Sequence, residues 1–259
     1  MDNPTLTCAG WRRPLTCSSF GGPHSRVALR ADGAMKNLTG RAWLALAILA
    51  VDMGLLLFVP AGTVHYWQAW VYLSIFTGAS VLTTLYLMRY DRALLERRLR
   101  GGPTAEKQPA QKLITLCTAL GFIALLVVPA LDFRCGWSTV PLGGVVAGDM
   151  LVAMGFSLIA RVYRENTFTS ATIEVAENQT VISTGPYALV RHPMYASASL
   201  YLLGTPLALG SYWGFVPIAA MMPFLLWRLL EEERFLARKL AGYTDYQQRV
   251  RHRLVPFVW

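Results

Sequence analysis

The residues with the most chemical capacity in this chain sit in one short run, Gly185-Pro186-Tyr187-Ala-Leu-Val-Arg191-His192-Pro193-Met194-Tyr195. It brings a guanidinium, an imidazole and two phenols together between long apolar stretches. Each proline disfavours helix in the residue before it, so 185 to 192 is expected to turn irregularly and a helix to begin at Pro193. Free backbone donors and the partial positive charge of that helix start, with Arg191 and His192 beside them, would suit an anionic group such as a carboxylate. The same residue types also build an ordinary membrane-edge turn, with tyrosine at the interface and Arg and His reaching for headgroups. On residue types alone the two readings are balanced.

A second candidate is Arg228-Leu-Leu-Glu-Glu-Glu-Arg234. Arg228 and Glu232 stand four apart and share a helical face. Exposed pairs of this kind contribute only about 0.3–0.5 kcal/mol. Arg228, however, lies inside an apolar run, where an ion is expensive, so its partner should be an acid, a ligand or both. A third group, Gly242-Tyr243-Thr-Asp-Tyr246 and the arginine-flanked end at Trp259, most simply anchors the tail to headgroups. Cys8, Cys17, Cys117 and Cys135 have neither CxxC nor Cys/His ligand spacing, and the four histidines form no HExxH-type pair, so no metal is expected. Asp52 and Asp149, acids in or at the edge of apolar runs, are expected to pair within the bundle. The glycines of Gly143-Gly144-Val-Val-Ala-Gly148 suit close helix packing better than a nucleotide loop, because no strand precedes them.

The elements that must position these groups are membrane helices. Of 259 residues, 54% are hydrophobic and 15% charged, and the mean hydropathy is +0.38, well outside the soluble range. A net charge of +9 in such a chain marks cytoplasmic loops and anionic lipid rather than nucleic acid. Apolar segments at 42–59, 67–88, 113–131, 140–160, 194–209 and 212–230 each approach the ~20 residues that cross a hydrocarbon core. The fold expected is therefore an all-α multi-pass membrane protein with about six spans. Spans five and six form a hairpin, and an amphipathic C-terminal helix beyond them lies along the membrane surface. Lys and Arg gather on alternate connections, leaving Arg134 alone on the other side. That pattern places both termini and the opening run on the cytoplasmic face. Residues 1–34, rich in Pro, Gly, Ser and Arg, are read as a disordered extension. Residues 35–160 form a four-span region, and 161–259 carry the polar site. A short strand hairpin is admissible within 167–183.

Taken together, Gln179-Thr-Val-Ile-Ser-Thr-Gly-Pro-Tyr187, Arg191-His-Pro-Met-Tyr195, Arg228 with Glu232 and Glu233, Gly242-Tyr-x-x-Tyr246 and Arg253-Leu-Val-Pro256 closely resemble the isoprenylcysteine carboxyl methyltransferase family. The wider superfamily includes membrane-integral phospholipid N-methyltransferases. The strong resemblance covers roughly the C-terminal third; the first four spans match only in character. An RHPxY segment joined through a two-span hairpin to Arg-x-x-x-Glu-Glu is far more specific than either half.

The resemblance implies an S-adenosylmethionine-dependent enzyme of the membrane that methylates the carboxylate of a prenylated cysteine or similar lipophilic acid. By position, Gln179, Thr180, Val181, Ile182, Tyr187, His192, Pro193, Met194, Tyr195 and Glu232 fall where the family binds the cofactor. Arg228 falls where it meets the substrate, and Arg228 and Glu232 make the catalytic pair. Phospholipid N-methylation is the same-fold alternative. A non-catalytic membrane binding or carrier protein using the same pocket is the alternative of another class.

Overall fold

Helical backbone follows the apolar segments closely. The computed structural model describes residues 23–99, 109–169, 179–256 and 258. The chain divides into two compact units, Met1–Leu38 and Thr39–Trp259. The first contributes the beginning of helix α1 (Pro23–Ala61); the second holds the remainder of α1 and every other element. These are α2 (Trp67–Tyr90), α3 (Arg92–Leu99), α4 (Pro109–Cys135), α5 (Leu142–Glu165), a 3-10 turn at Gly185–Ala188, α6 (Pro193–Ala208), α7 (Phe215–Lys239) and α8 (Tyr243–Arg249). No strand occurs among the described residues, and much of the segment read as an admissible hairpin, 170–178, lies outside them.

The protein is an all-α multi-pass membrane protein, with a narrower set of clear spans than expected. Asn37–Ala61, Trp67–Tyr90, Pro109–Cys135 and Leu142–Glu165 are long and apolar enough to cross a membrane. Helix α6 has 16 residues, roughly 24 Å at 1.5 Å per residue. The second half of α7 carries Arg228, Glu231, Glu232 and Glu233. By length and composition four helices among the described residues qualify, with the expected hairpin present as α6 and α7. The boundary expected at residue 34 falls inside α1, whose backbone is helical from Pro23.

Packing divides the hairpin. Helix α6 lies along α5, whereas α7 lies along α4, so the two arms diverge rather than sealing against each other. The α5–α6 seam is close because small residues face one another: a Cβ at Gly148 would stand 2.3 Å from the backbone nitrogen of Ala208 and 2.7 Å from the carbonyl of Gly204. This is the packing role expected of that glycine. Phe156 stacks on Tyr201, and Phe76 meets Phe156 edge-to-face. They join a core in which Leu57, Tyr66, Tyr72 and Leu126 are fully buried. The bundle acids do not pair as expected: Asp52 is exposed on α1, and one oxygen of Asp149 is buried without a hydrogen-bond partner among the described residues. One buried acid that does have partners is Asp132, which accepts from Ser138 and Ser211 and so joins the end of α4 to the α6–α7 connection.

Candidate functional site

The chain enters α6 through a turn that sequence chemistry dictates. Gly185 has φ +55° and a Cβ there would stand 2.8 Å from the carboxyl group of Glu165, so a residue with a side chain would be both strained and crowded. Pro186 then sits in the 3-10 turn, and Pro193 opens α6 with His192 as its N-cap. The segment from 185 to 192 is thus held off the helix, as its prolines predict.

What holds it there is Glu233, a residue 5% exposed on α7. Its Oε1 accepts from Arg191 Nε at 2.7 Å and lies 3.2 Å from His192 Nε2, while Oε2 accepts from Arg253 Nε at 2.9 Å. Burial alone would raise this carboxyl. Its hydrogen bonds from His192, Arg191 and Arg253 outweigh that and hold it down at about 2. Arg191 Nη1 also donates to the carbonyls of Val250 and Arg251. The amides of Arg191 and His192 donate to the carbonyls of His252 and Arg253, each at 2.9 Å. The C-terminal tail is therefore strapped across the front of α6.

This arrangement corrects two expectations. The guanidinium of Arg191, expected to meet an anionic ligand, is committed to Glu233 and the tail carbonyls. The tail tyrosines do not anchor to headgroups: Tyr243 and Tyr246 are 4% and 1% exposed and pack with Leu240 against Val181, Tyr187 and Leu236. The amphipathic stretch expected after the hairpin is present as the last part of α7, and its Leu236 and Leu240 line a cavity.

That cavity has a volume of about 650 Å³, within the range of roughly 300–1,000 Å³ usual for small-molecule sites. Every residue singled out by position lines it: Gln179, Thr180, Val181, Ile182, Tyr187, His192, Pro193, Met194, Tyr195, Arg228 and Glu232. Segments far apart in the chain thus converge on one space between the diverging arms of the hairpin. Tyr195 donates to Glu232 Oε2 at 2.7 Å and also contacts Arg228, so the two charged residues of α7 meet at one phenol of α6. Arg228 Nη1 donates to Gln111 Oε1 and Thr115 Oγ1 of α4, each at 3.2 Å. Tyr187 accepts from Asn166 Nδ2 at 2.9 Å, and its carbonyl accepts from Tyr246 at 2.7 Å. Burial pushes the Tyr187 phenol up to about 12, so it stays a neutral donor.

Residues 144–242 match the phospholipid methyltransferase family. The matched stretch runs from within α5 to the residue before α8, and so spans the turn, the hairpin and both Arg228 and Glu232. It supports a membrane methyltransferase. It leaves out α1 to α4 and the strap at 250–254. No curated protein matches the chain.

The donor set can be tested against the methyl donor such a family implies. Tyr243 lines the cavity, yet its buried hydroxyl has no hydrogen-bond partner among the described residues, a costly state unless a polar ligand completes it. The carboxylate of Glu232 suits ribose hydroxyls or an ammonium, and the clustered phenol faces suit a sulfonium. The residues fit S-adenosylmethionine. Tyr243, Tyr246 and Glu233 were visible in the sequence only as parts of motifs; nothing in their spacing showed that one ends in the cavity and another fastens its wall.

Proposed function

We propose that the protein is an S-adenosylmethionine-dependent methyltransferase that esterifies the carboxylate of a prenylated cysteine or a similar lipophilic acid. The observation that carries this reading is Arg228 set beside Tyr195 and Glu232 in a cavity whose other wall is apolar, with Phe122, Met221, Met222 and Leu225. When bound, the cofactor supplies an electrophilic methyl on a sulfonium. Arg228 holds the acceptor carboxylate, which is ionised at neutral pH and needs no general base. With Arg228 holding the acceptor and the cofactor wall holding the sulfonium, the methyl would pass in line to the carboxylate oxygen and the neutral thioether would keep the electron pair of the broken S–CH3 bond. The chain's part is positioning and exclusion of water. His192, fixed through Glu233, and the backbone of 179–182 form the cofactor's wall. The basic connections support a cytoplasmic site and termini, where a water-soluble cofactor enters from one side and a lipid acceptor from the bilayer.

A second reading, phospholipid N-methylation, is favoured by the description of the matched family and by the carboxylate of Glu232, which would suit an amine. Isothermal titration of detergent-purified protein with S-adenosylmethionine separates either enzyme from a binding or carrier protein: absence of binding by folded protein sinks both. Between the enzymes, base-labile methyl ester formed on N-acetyl-S-farnesylcysteine is expected, against methylated amine formed on phosphatidylethanolamine.

A further inference from the structure

The acceptor half of the cavity is built in part by α4, a helix outside both the matched family region and every motif of the C-terminal third. Gln111 and Thr115 are one helical turn apart there, and both accept from the same guanidinium nitrogen of Arg228. Gln111 is 2% exposed, and its amide nitrogen is buried without a partner among the described residues. A buried glutamine with an unused donor is destabilising by itself. Its contribution lies in where it puts Arg228, a side chain with several rotatable bonds whose head would otherwise have many positions. Both groups are neutral, so they orient the guanidinium without cancelling its charge.

We propose that Gln111 and Thr115 are positioning residues that set acceptor specificity, holding Arg228 beside Tyr195 to receive an anionic head group. This rests on the methyltransferase reading above. The specificity follows from position and charge: a neutral clamp adds no negative charge to that of Glu232 beside Arg228 and leaves the guanidinium aimed at an incoming acid, whereas a carboxylate at position 111 would pair with Arg228 and oppose that acid.

The test uses full-length protein in nanodiscs, N-acetyl-S-farnesylcysteine as acceptor and two independent readouts. Gln111→Leu, close in volume, should raise the KM for the acceptor about tenfold while kcat stays within about twofold. Gln111→Glu should raise that KM further, and Thr115→Val less than Gln111→Leu. Calorimetric affinity for S-adenosylmethionine should stay within about twofold of wild type in all three, because the clamp bonds Arg228 rather than any residue assigned by position to the cofactor. Binding of tritiated N-acetyl-S-farnesylcysteine should fall in the same order as KM rises. Unchanged acceptor KM in Gln111→Leu and Gln111→Glu overturns the inference, as does a loss confined to kcat or to cofactor affinity. If Gln111→Leu fails to fold, as judged by thermal melting, Thr115→Val and Gln111→Glu carry the same comparison. Wild-type protein that binds S-adenosylmethionine but neither methylates nor binds the farnesylcysteine probe also overturns it. Wild-type protein that binds no S-adenosylmethionine instead sinks the underlying reading.

Discussion

Arg191 donates its Nε–H to Oε1 of Glu233 at 2.7 Å, and this buried pair ties the turn before α6 to the second half of α7. Both side chains are 7% exposed. Removing the acid leaves a guanidinium in the interior without its counter-charge, a change that costs about 3–5 kcal/mol in comparable sites. Glu233→Gln should therefore lower thermal stability markedly. Glu231→Gln, which touches only the exposed pair with Arg234, should cost no more than about 1 kcal/mol. Melting curves of the two variants side by side check this; equal effects would mean that Glu233 is not the keystone.

The same carboxylate makes stability depend on acid. Its folded value is held at about 2, below its ordinary 4.5, so across that interval the unfolded chain binds more protons than the folded one. The contribution is complete above about pH 4.5 and is lost as pH falls toward about 2. The groups facing it are Arg191, His192 and Arg253, with the phenol of Tyr243 near enough to feel its charge. Wild-type melting temperature should fall more steeply between about pH 5 and 3 than that of Glu233→Gln. Parallel slopes would place the acid sensitivity elsewhere.

The run Glu231-Glu232-Glu233 marks how far the sequence could be read. Composition and segment length define the helices because burying backbone in lipid leaves few alternatives, and the prolines define the turn. Three consecutive acids on a helix, however, point about 100° apart. One meets exposed Arg234, one meets Tyr195 and one meets Arg191. Which acid faces inward depends on partners 37 and 42 residues away, and local periodicity does not carry that. Gln111 is hidden for a similar reason: a polar residue in the first turn of a span looks like an interfacial one until Arg228 is brought to it. The tail was misread because tyrosines suit both a headgroup belt and a packed wall.

Close packing of α5 on α6 should prove as important to the site as the site residues. A side chain at 148 would collide with the backbone of Ala208 and Gly204, which cannot yield as a flexible side chain would. Gly148→Leu should separate the helices and cost several kcal/mol, on the order of 2–4 by analogy with overpacked cores. It should abolish binding of S-adenosylmethionine although position 148 does not line the cavity. A folded Gly148→Leu protein with normal affinity would show that the seam does not set the site.

Orientation is testable with one native thiol. Cys135 ends α4 and is exposed, beside Arg134 on the side expected to face away from the cytoplasm. With Cys8, Cys17 and Cys117 changed to serine, a membrane-impermeant maleimide should label Cys135 in intact cells without permeabilisation. Labelling only after the membrane is opened would invert the proposed topology and move the cavity to the other face.

Two tyrosines of α8 should respond in opposite ways to loss of a single oxygen. The Tyr246 hydroxyl donates to the carbonyl of Tyr187 at 2.7 Å, so Tyr246→Phe should lose about 1 kcal/mol of stability by leaving a buried carbonyl less satisfied. The Tyr243 hydroxyl has no hydrogen-bond partner among the described residues, and burial pushes its phenol well up, so it remains a neutral O–H. Tyr243→Phe removes an unpaired polar atom and should leave the ligand-free protein as stable as wild type or slightly more so. If that hydroxyl completes its hydrogen bonding only with a polar ligand, the same variant should bind S-adenosylmethionine about five- to tenfold more weakly, the loss of one hydrogen bond of about 1 kcal/mol. Calorimetry and melting of both variants read the two effects separately. A Tyr243→Phe protein that loses stability but keeps its affinity would assign the residue to the packed wall rather than to the ligand.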